Sequence, residues 1–197
     1  MPNATATEIN PVSSPLKLHQ RSLLWQIIAV LAGTLALTLS SYLEVPMIPV
    51  PMTMQTYAVV LIGALFGWRL GTITVLAWLA QAAIGLPVLS GGSGGPLVFI
   101  GPTAGYLFAF PLASAIVGWL AQNGWNGQRI GLAFVAMLLG HALCLFLGGL
   151  WLATLIGFEP AIAAGVTPFL LGAVFKSALA AATLKMLHRE PAPPSDS

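Results

Sequence analysis

The apolar positions of this chain gather into six long runs, at about 22–43, 53–67, 70–86, 101–121, 130–156 and 164–187. A helix needs about 20 residues to cross the hydrocarbon core of a bilayer. The pattern therefore predicts an all-α integral membrane protein with six transmembrane helices. The second and third runs are short, so their ends are expected in thinned bilayer or under protein cover. Gly67-Trp68-Arg69-Leu70-Gly71 separates those two runs as a tight connection. No internal repeat of about 20–50 residues is visible. The chain divides into a polar N-terminal segment, 1–21, a membrane domain, 22–188, and a tail, 189–197. The tail REPAPPSDS is polar and Pro-rich, a composition that favours disorder. Thr38 and Ser40 form a weak small pair for signal cleavage. The leader is long and the first run exceeds a signal core, so that run is read as a span.

Composition excludes a soluble domain. Hydrophobic residues make up 57% of the 197 positions and charged residues only 6%. A soluble domain carries about 25% charged residues. The mean hydropathy is +0.91. The net charge of +2 matters less than where the charges sit. With the N-terminus in the cytoplasm, Lys17 and Arg21 precede the first span on the inside. Arg69, Arg129, Lys185 and Arg189 then also fall inside, so six of the seven basic residues obey the positive-inside rule. A five- or seven-span count would break it. Trp25, Trp68, Trp119 and Trp125 fall at the same inner ends, as an aromatic belt would. Both termini are expected in the cytoplasm of a multi-pass protein of the cytoplasmic (inner) membrane.

Two unusual apolar loops remain for the outer side. EVPMIPVPMTMQ, residues 44–55, holds three prolines that exclude regular helix. GLPVLSGGSGGPLVFIGP, residues 85–102, holds four close glycines, at 91, 92, 94 and 95. Either the two loops form a lid over a small-molecule pocket or they are plain surface turns.

One charge is left within the membrane. Lys176 falls in the middle of the last run, where an ionisable residue costs roughly 2.5–3.5 kcal/mol on insertion scales. Its helix-face neighbours are Phe169, Gly172, Ala173 and Ala180, small enough in the main to leave space. An anionic ligand would be its natural partner; snorkelling, or pairing with Glu44 or Glu159, is the other reading. In GPTAGYLFAFP, 101–111, Pro102 suits a first helical turn, whose free N–H groups favour an anion or polar group. Pro111 is expected to kink that helix, for a cavity or for packing alone. Ala29, Ala32, Gly33 and Ala36 make two small-xxx-small stripes, suited to a partner subunit or to an internal neighbour. His141, on the fifth run, is either a packing residue or a proton carrier, with packing the commoner case, and Cys144 and Trp78 read as packing residues. Trp151 suits either belt or pocket wall. No phosphate loop is present, because no lysine follows a glycine as G-x-x-x-x-G-K-[ST] requires. No metal-ligand cluster and no catalytic triad can be assembled, since the single Asp is Asp196 in the tail. No enzyme, no cofactor in this chain and no nucleic-acid partner are expected; any ATP hydrolysis would belong to partner subunits.

Together these segments resemble the BioY family, the biotin-specific S component of energy-coupling-factor (ECF) vitamin transporters. The matching stretches are VPMTMQTYAVVLIGALFG at 50–67, GLPVLSGGSGG at 85–95, GPTAGYLFAFP at 101–111 and PFLLGAVFK at 168–176. The resemblance spans roughly residues 25–187. It implies a six-helix membrane fold that captures biotin near the outer face. It implies ligand contacts at Lys176, at Thr53 and Gln55 of the closing first loop, at Gly91, Gly92, Ser93 and Gly94, and at Thr103 and Tyr106. It implies docking of Ala29, Ala32, Gly33 and Ala36 on a transmembrane coupling protein, with two ATPase subunits, or self-association where these are absent. The chain departs from the family pattern at Ala173, where many members carry Asp, at Leu171 in place of Pro, and at Ala104 and Ala109 in place of Gly. The lost Asp leaves open another small anion, vitamin or biotin precursor as ligand, with Thr53, Gln55 or Ser93 as compensating contacts.

Overall fold

A computed structural model of the chain describes residues 16, 18 and 21–187. Lys17, Arg189 and the expected disordered tail lie outside the described residues. Among the described residues there are six α-helices: α1 (Leu23–Tyr42), α2 (Gln55–Ala83), α3 (Ala104–Gln122), α4 (Ile130–Ile156), the short α5 (Phe158–Ala161) and α6 (Thr167–Leu187). A π-helical stretch, Ile162–Val166, joins α5 to α6. Five helical segments are long and apolar enough to cross a membrane, the last running from Phe158 to Leu187.

The second and third predicted spans run together in α2 as two helical halves, with one residue between them in place of the five-residue connection. Its single non-helical residue is Gly67, at φ 80° and ψ 169°. Only glycine adopts that backbone conformation at low cost. The helix resumes at once, at Trp68. A Cβ on Gly71 would lie 2.9 Å from the Cα of Gly63. Residues eight apart in a continuous helix are about 12 Å apart. The two halves of α2 therefore fold back on each other at Gly67. Helix α3 closes on the same spot: a Cβ on Gly118 would lie 2.6 Å from the Trp68 nitrogen and 2.7 Å from the Gly63 oxygen. Three glycines thus let three backbone segments meet where any side chain would hold them apart.

Prolines at 46, 49 and 51 keep helix out of residues 44–54, and the chain instead makes a short antiparallel ribbon of β1 (Glu44–Val45) and β2 (Met52–Thr53). Glu44 pairs with Thr53 and Val45 with Met52. This ribbon is the one departure from an all-α fold among the described residues. The Gly-rich loop is bolted to the same end. Ser41 Oγ donates to the Val88 carbonyl at 2.7 Å, Tyr42 Oη to Pro87 at 2.5 Å and Trp78 Nε1 to Val88 at 3.2 Å. Ser90 Oγ donates to the Glu44 carboxylate. At the opposite end, Gln26 of α1, Arg69 and Gln122 of α3 line a groove of about 430 Å³. The core between the ends centres on Trp78, stacked 6.2 Å from Phe110, with Leu37, Met137, Leu152 and Leu184 also fully buried.

The expected helix start at Pro102 lies two residues later: residues 101–103 form a turn and α3 begins at Ala104. Pro111 sits within α3, which continues through it. Having no N–H, it leaves the Leu107 carbonyl without its usual helical partner.

Candidate functional site

Between α2, α3, α4 and α6, beneath the ribbon and the Gly-rich loop, lies a cavity of about 280 Å³. That is close to the lower end of ligand sites, about 300–1,000 Å³, and suits one small molecule. The ribbon contributes Val50, Pro51 and Thr53, and the start of α2 adds Gln55 and Thr56. The Gly-rich loop supplies Leu89, Ser90 and Ser93. From α3 come Thr103, Tyr106, Leu107 and Phe110; from α4, His141, Cys144 and Leu145; from α6, Phe169, Ala173 and Lys176.

Among the described residues, Lys176 is the one Lys, Arg, Asp or Glu in this wall. It is part-buried, and its Nζ donates to the Thr53 carbonyl at 2.6 Å and reaches Thr56 Oγ1 at 3.5 Å. These contacts tie α6 to the ribbon. Glu44 is engaged by Ser90 instead, so the pairing of Lys176 with Glu44 is not formed. An ammonium has three donors, so the two contacts leave one for a ligand.

Six of the nine sequence-predicted contacts meet in this wall: Lys176, Thr53, Gln55, Ser93, Thr103 and Tyr106. Gly91, Gly92 and Gly94 do not. Gly91 and Gly92 take left-handed conformations, φ 62° and 70°. They turn the loop so that Ser90 and Ser93 reach the cavity. Gly94 packs against the Leu86 backbone, where a Cβ would collide. Two further side chains play other parts than expected. Tyr106 Oη donates to the Gly165 carbonyl at 2.6 Å, so it presents its ring to the cavity and its hydroxyl to the α6 entry. Gly148 makes room for that ring. Ser93 Oγ donates to Ser90 within its own loop, at 2.7 Å.

His141, Cys144, Ser90, Phe110 and Phe169 were not expected as cavity wall. His141 Nδ1 lies 2.9 Å from the Met137 carbonyl and 3.0 Å from Ser177 Oγ. His141 and Cys144 sit three apart, on one helix face, but nothing in the sequence marks that face as the one toward the cavity. Trp151 is not in the wall: its Nε1 donates to the Gly101 carbonyl at 3.0 Å and its side chain packs against Gly105.

The α1 stripes separate. Gly33 is buried, where a Cβ would lie 2.5 Å from Thr74 Cγ2 and 3.1 Å from Phe66, so it is an internal contact and not a free docking position. Ala32 and Ala36 are exposed and Ala29 is half-buried. Residues 32 and 33 differ by about 100° around the helix, which is why one stripe faces in and the other out.

A helical multi-pass membrane protein with a ligand-sized cavity among its helices is the class this architecture defines. The chain belongs to the BioY family, whose profile matches residues 11–192. It is 34% identical over 154 residues to a probable biotin transporter BioY of Pyrococcus horikoshii, covering 78% of this chain and 90% of that one. It is 38% identical over 154 residues to the biotin transporter BioY of Rhizobium etli, covering 74% and 82%. The fold matches a crystal structure of the S component for biotin from an ECF-type ABC transporter, with a TM-score of 0.74 and 27% identity, over 87% of this chain and 96% of that one.

Proposed function

We propose that this protein captures biotin at the outer face of the cytoplasmic membrane and acts as the substrate-binding subunit for its uptake. The observation that carries this reading is the cavity itself, ligand-sized, mostly apolar and holding one cation, Lys176. Biotin offers a carboxylate for Lys176, a polar ring for neutral donors and acceptors, and an apolar ring and chain for Phe110, Leu145 and Phe169. Relatives that are biotin transporters and a structural neighbour that is an S component for biotin point the same way. Family membership and a ligand-sized pocket without a catalytic pair favour transport over chemistry.

In this reading the fold-back at Gly67 makes α2 two crossings, six in all, with both termini cytoplasmic. The groove holding Arg69 then faces the cytoplasm, and the ribbon and Gly-rich loop face outward as the gate. Thr53, Gln55, Ser93, Thr103 and Tyr106 bound the ligand with Lys176. Energy comes from partners: an ECF coupling protein docked on the Ala29, Ala32 and Ala36 side of α1, with ATPase subunits, or self-association where these are absent.

The test is binding of radiolabelled biotin to purified protein in detergent, with Lys176→Met beside the wild type. Removing one side of a buried charge contact costs about 2–5 kcal/mol, a loss of roughly 30- to 5,000-fold in affinity. A folded wild type that fails to bind biotin would sink this reading. A related anion would then be favoured, because Ala173 lines the cavity and offers no polar group.

A further inference from the structure

Two polar atoms in the cavity wall are buried without a hydrogen-bond partner: Gln55 Nε2 and His141 Nε2. The third such atom among the described residues, Ser114 Oγ, lies at the glycine crossing of α2 and α3, outside the cavity. Gln55 is 6% exposed and His141 2%. Native interiors rarely leave such atoms unmet, and a group that is left so in a cavity is suited to a ligand.

The two atoms are chemically opposite. An amide nitrogen only donates. We assign His141 the tautomer protonated on Nδ1, because the Met137 carbonyl 2.9 Å away can only accept. A neutral imidazole then has a bare lone pair on Nε2. Ser177, at 3.0 Å from the same Nδ1, helps hold the ring in this orientation. The wall therefore offers one free buried acceptor on α4 and one free buried donor at the start of α2. Among the described residues no carboxylate lines the cavity, since position 173 is alanine.

We propose that His141 is a ligand contact and specificity residue. Its Nε2 accepts from an N–H of the ligand's cyclic urea, while the Gln55 amide donates to the urea carbonyl. The assignment rests on biotin being the ligand. A cyclic urea has both groups on one rigid ring, which matches one acceptor and one donor, and Lys176 remains for the carboxylate. The histidine fills the acceptor role that a carboxylate at position 173 could have served.

Biotin affinity of the purified full-length protein tests this, for wild type, His141→Leu and His141→Gln. Leucine keeps the bulk and removes the acceptor, so affinity should fall roughly 5- to 150-fold, the range for leaving a buried polar partner unmet. Glutamine places an amide near the same point and should stay within about fivefold of wild type. A second arm needs no variant for its readout. In ¹⁵N-histidine-labelled wild type, with His141→Gln used for assignment, the His141 Nε2 resonance should be that of an unprotonated nitrogen and should move on adding biotin. Wild-type affinity in the leucine variant, or an Nε2 resonance unmoved at saturating biotin, would overturn the proposal. Absence of biotin binding by folded wild type is a different failure: it removes the biotin reading first, and this assignment with it.

Discussion

At the scale of single residues, the polar atoms of the cavity divide into those already engaged by the protein and those left for a ligand. Tyr106 belongs to the first group, its hydroxyl held by Gly165. Tyr106→Phe should lower stability by about 1 kcal/mol, the usual net value of one hydrogen bond, and leave biotin affinity near wild type. Thermal unfolding in detergent beside a binding titration checks both halves; a large affinity loss with normal stability would show the hydroxyl in contact with ligand. Lys176 could be read from the sequence because a charge in an apolar run has few explanations. His141 could not, because one polar residue in a helix gives no sign of which face is buried or what its second nitrogen meets. Gly91, Gly92 and Gly94 stand beside the cavity wall and not in it, because glycine marks where backbone must bend or approach closely.

At the scale of elements, the decisive features are the break in α2 and the ribbon over the cavity. Gly67→Ala would place an L side chain at φ 80°, ψ 169°, a conformation costing about 1–3 kcal/mol. Gly118→Ala would push on the Trp68 backbone at 2.6 Å, with an overpacking cost of about 1–3 kcal/mol. Both variants should unfold at lower temperature than wild type, and unchanged unfolding would mean the three segments can separate freely. The ribbon is linked to α6 by Lys176 and to the Gly-rich loop by Glu44. A ligand that engages Lys176 is thereby coupled to the ribbon. Spin labels at Met52 and Ser93 should show an altered or narrowed distance distribution on adding biotin. An identical distribution in both states would rule out closure by these two loops. The hydrophobic pattern located the breaks between elements; that 67–71 is one residue of reversal rather than a loop depended on Gly63, Gly71 and Gly118 meeting, which is a contact between distant stretches.

At the scale of the whole molecule, α1 stands at one side of the bundle with large apolar side chains outward. Leu31, Leu35 and Leu39 are all more than half exposed. Between them the exposed Ala32 and Ala36 are small, and this is the face proposed above to receive a partner helix. Ala32→Leu with Ala36→Leu should therefore leave biotin binding intact and reduce uptake in cells that supply the partner modules. Normal uptake would place the coupling surface elsewhere, and lost binding would place this face inside the fold.

The sequence by itself determined the solvent of this protein, its helical class and the presence of one misplaced cation. Those are properties of local hydropathy and of single residues, which need no knowledge of neighbours. Only the tertiary structure decided which small residues face inward, that Gly33 is packed while Ala32 is exposed, and that the Nε2 atoms of Gln55 and His141 end unpartnered at one cavity. A helix in lipid is apolar on all sides, so periodicity carries little information about its buried face. The partners of each side chain were therefore chosen by helix packing, and the chemistry of the site with them.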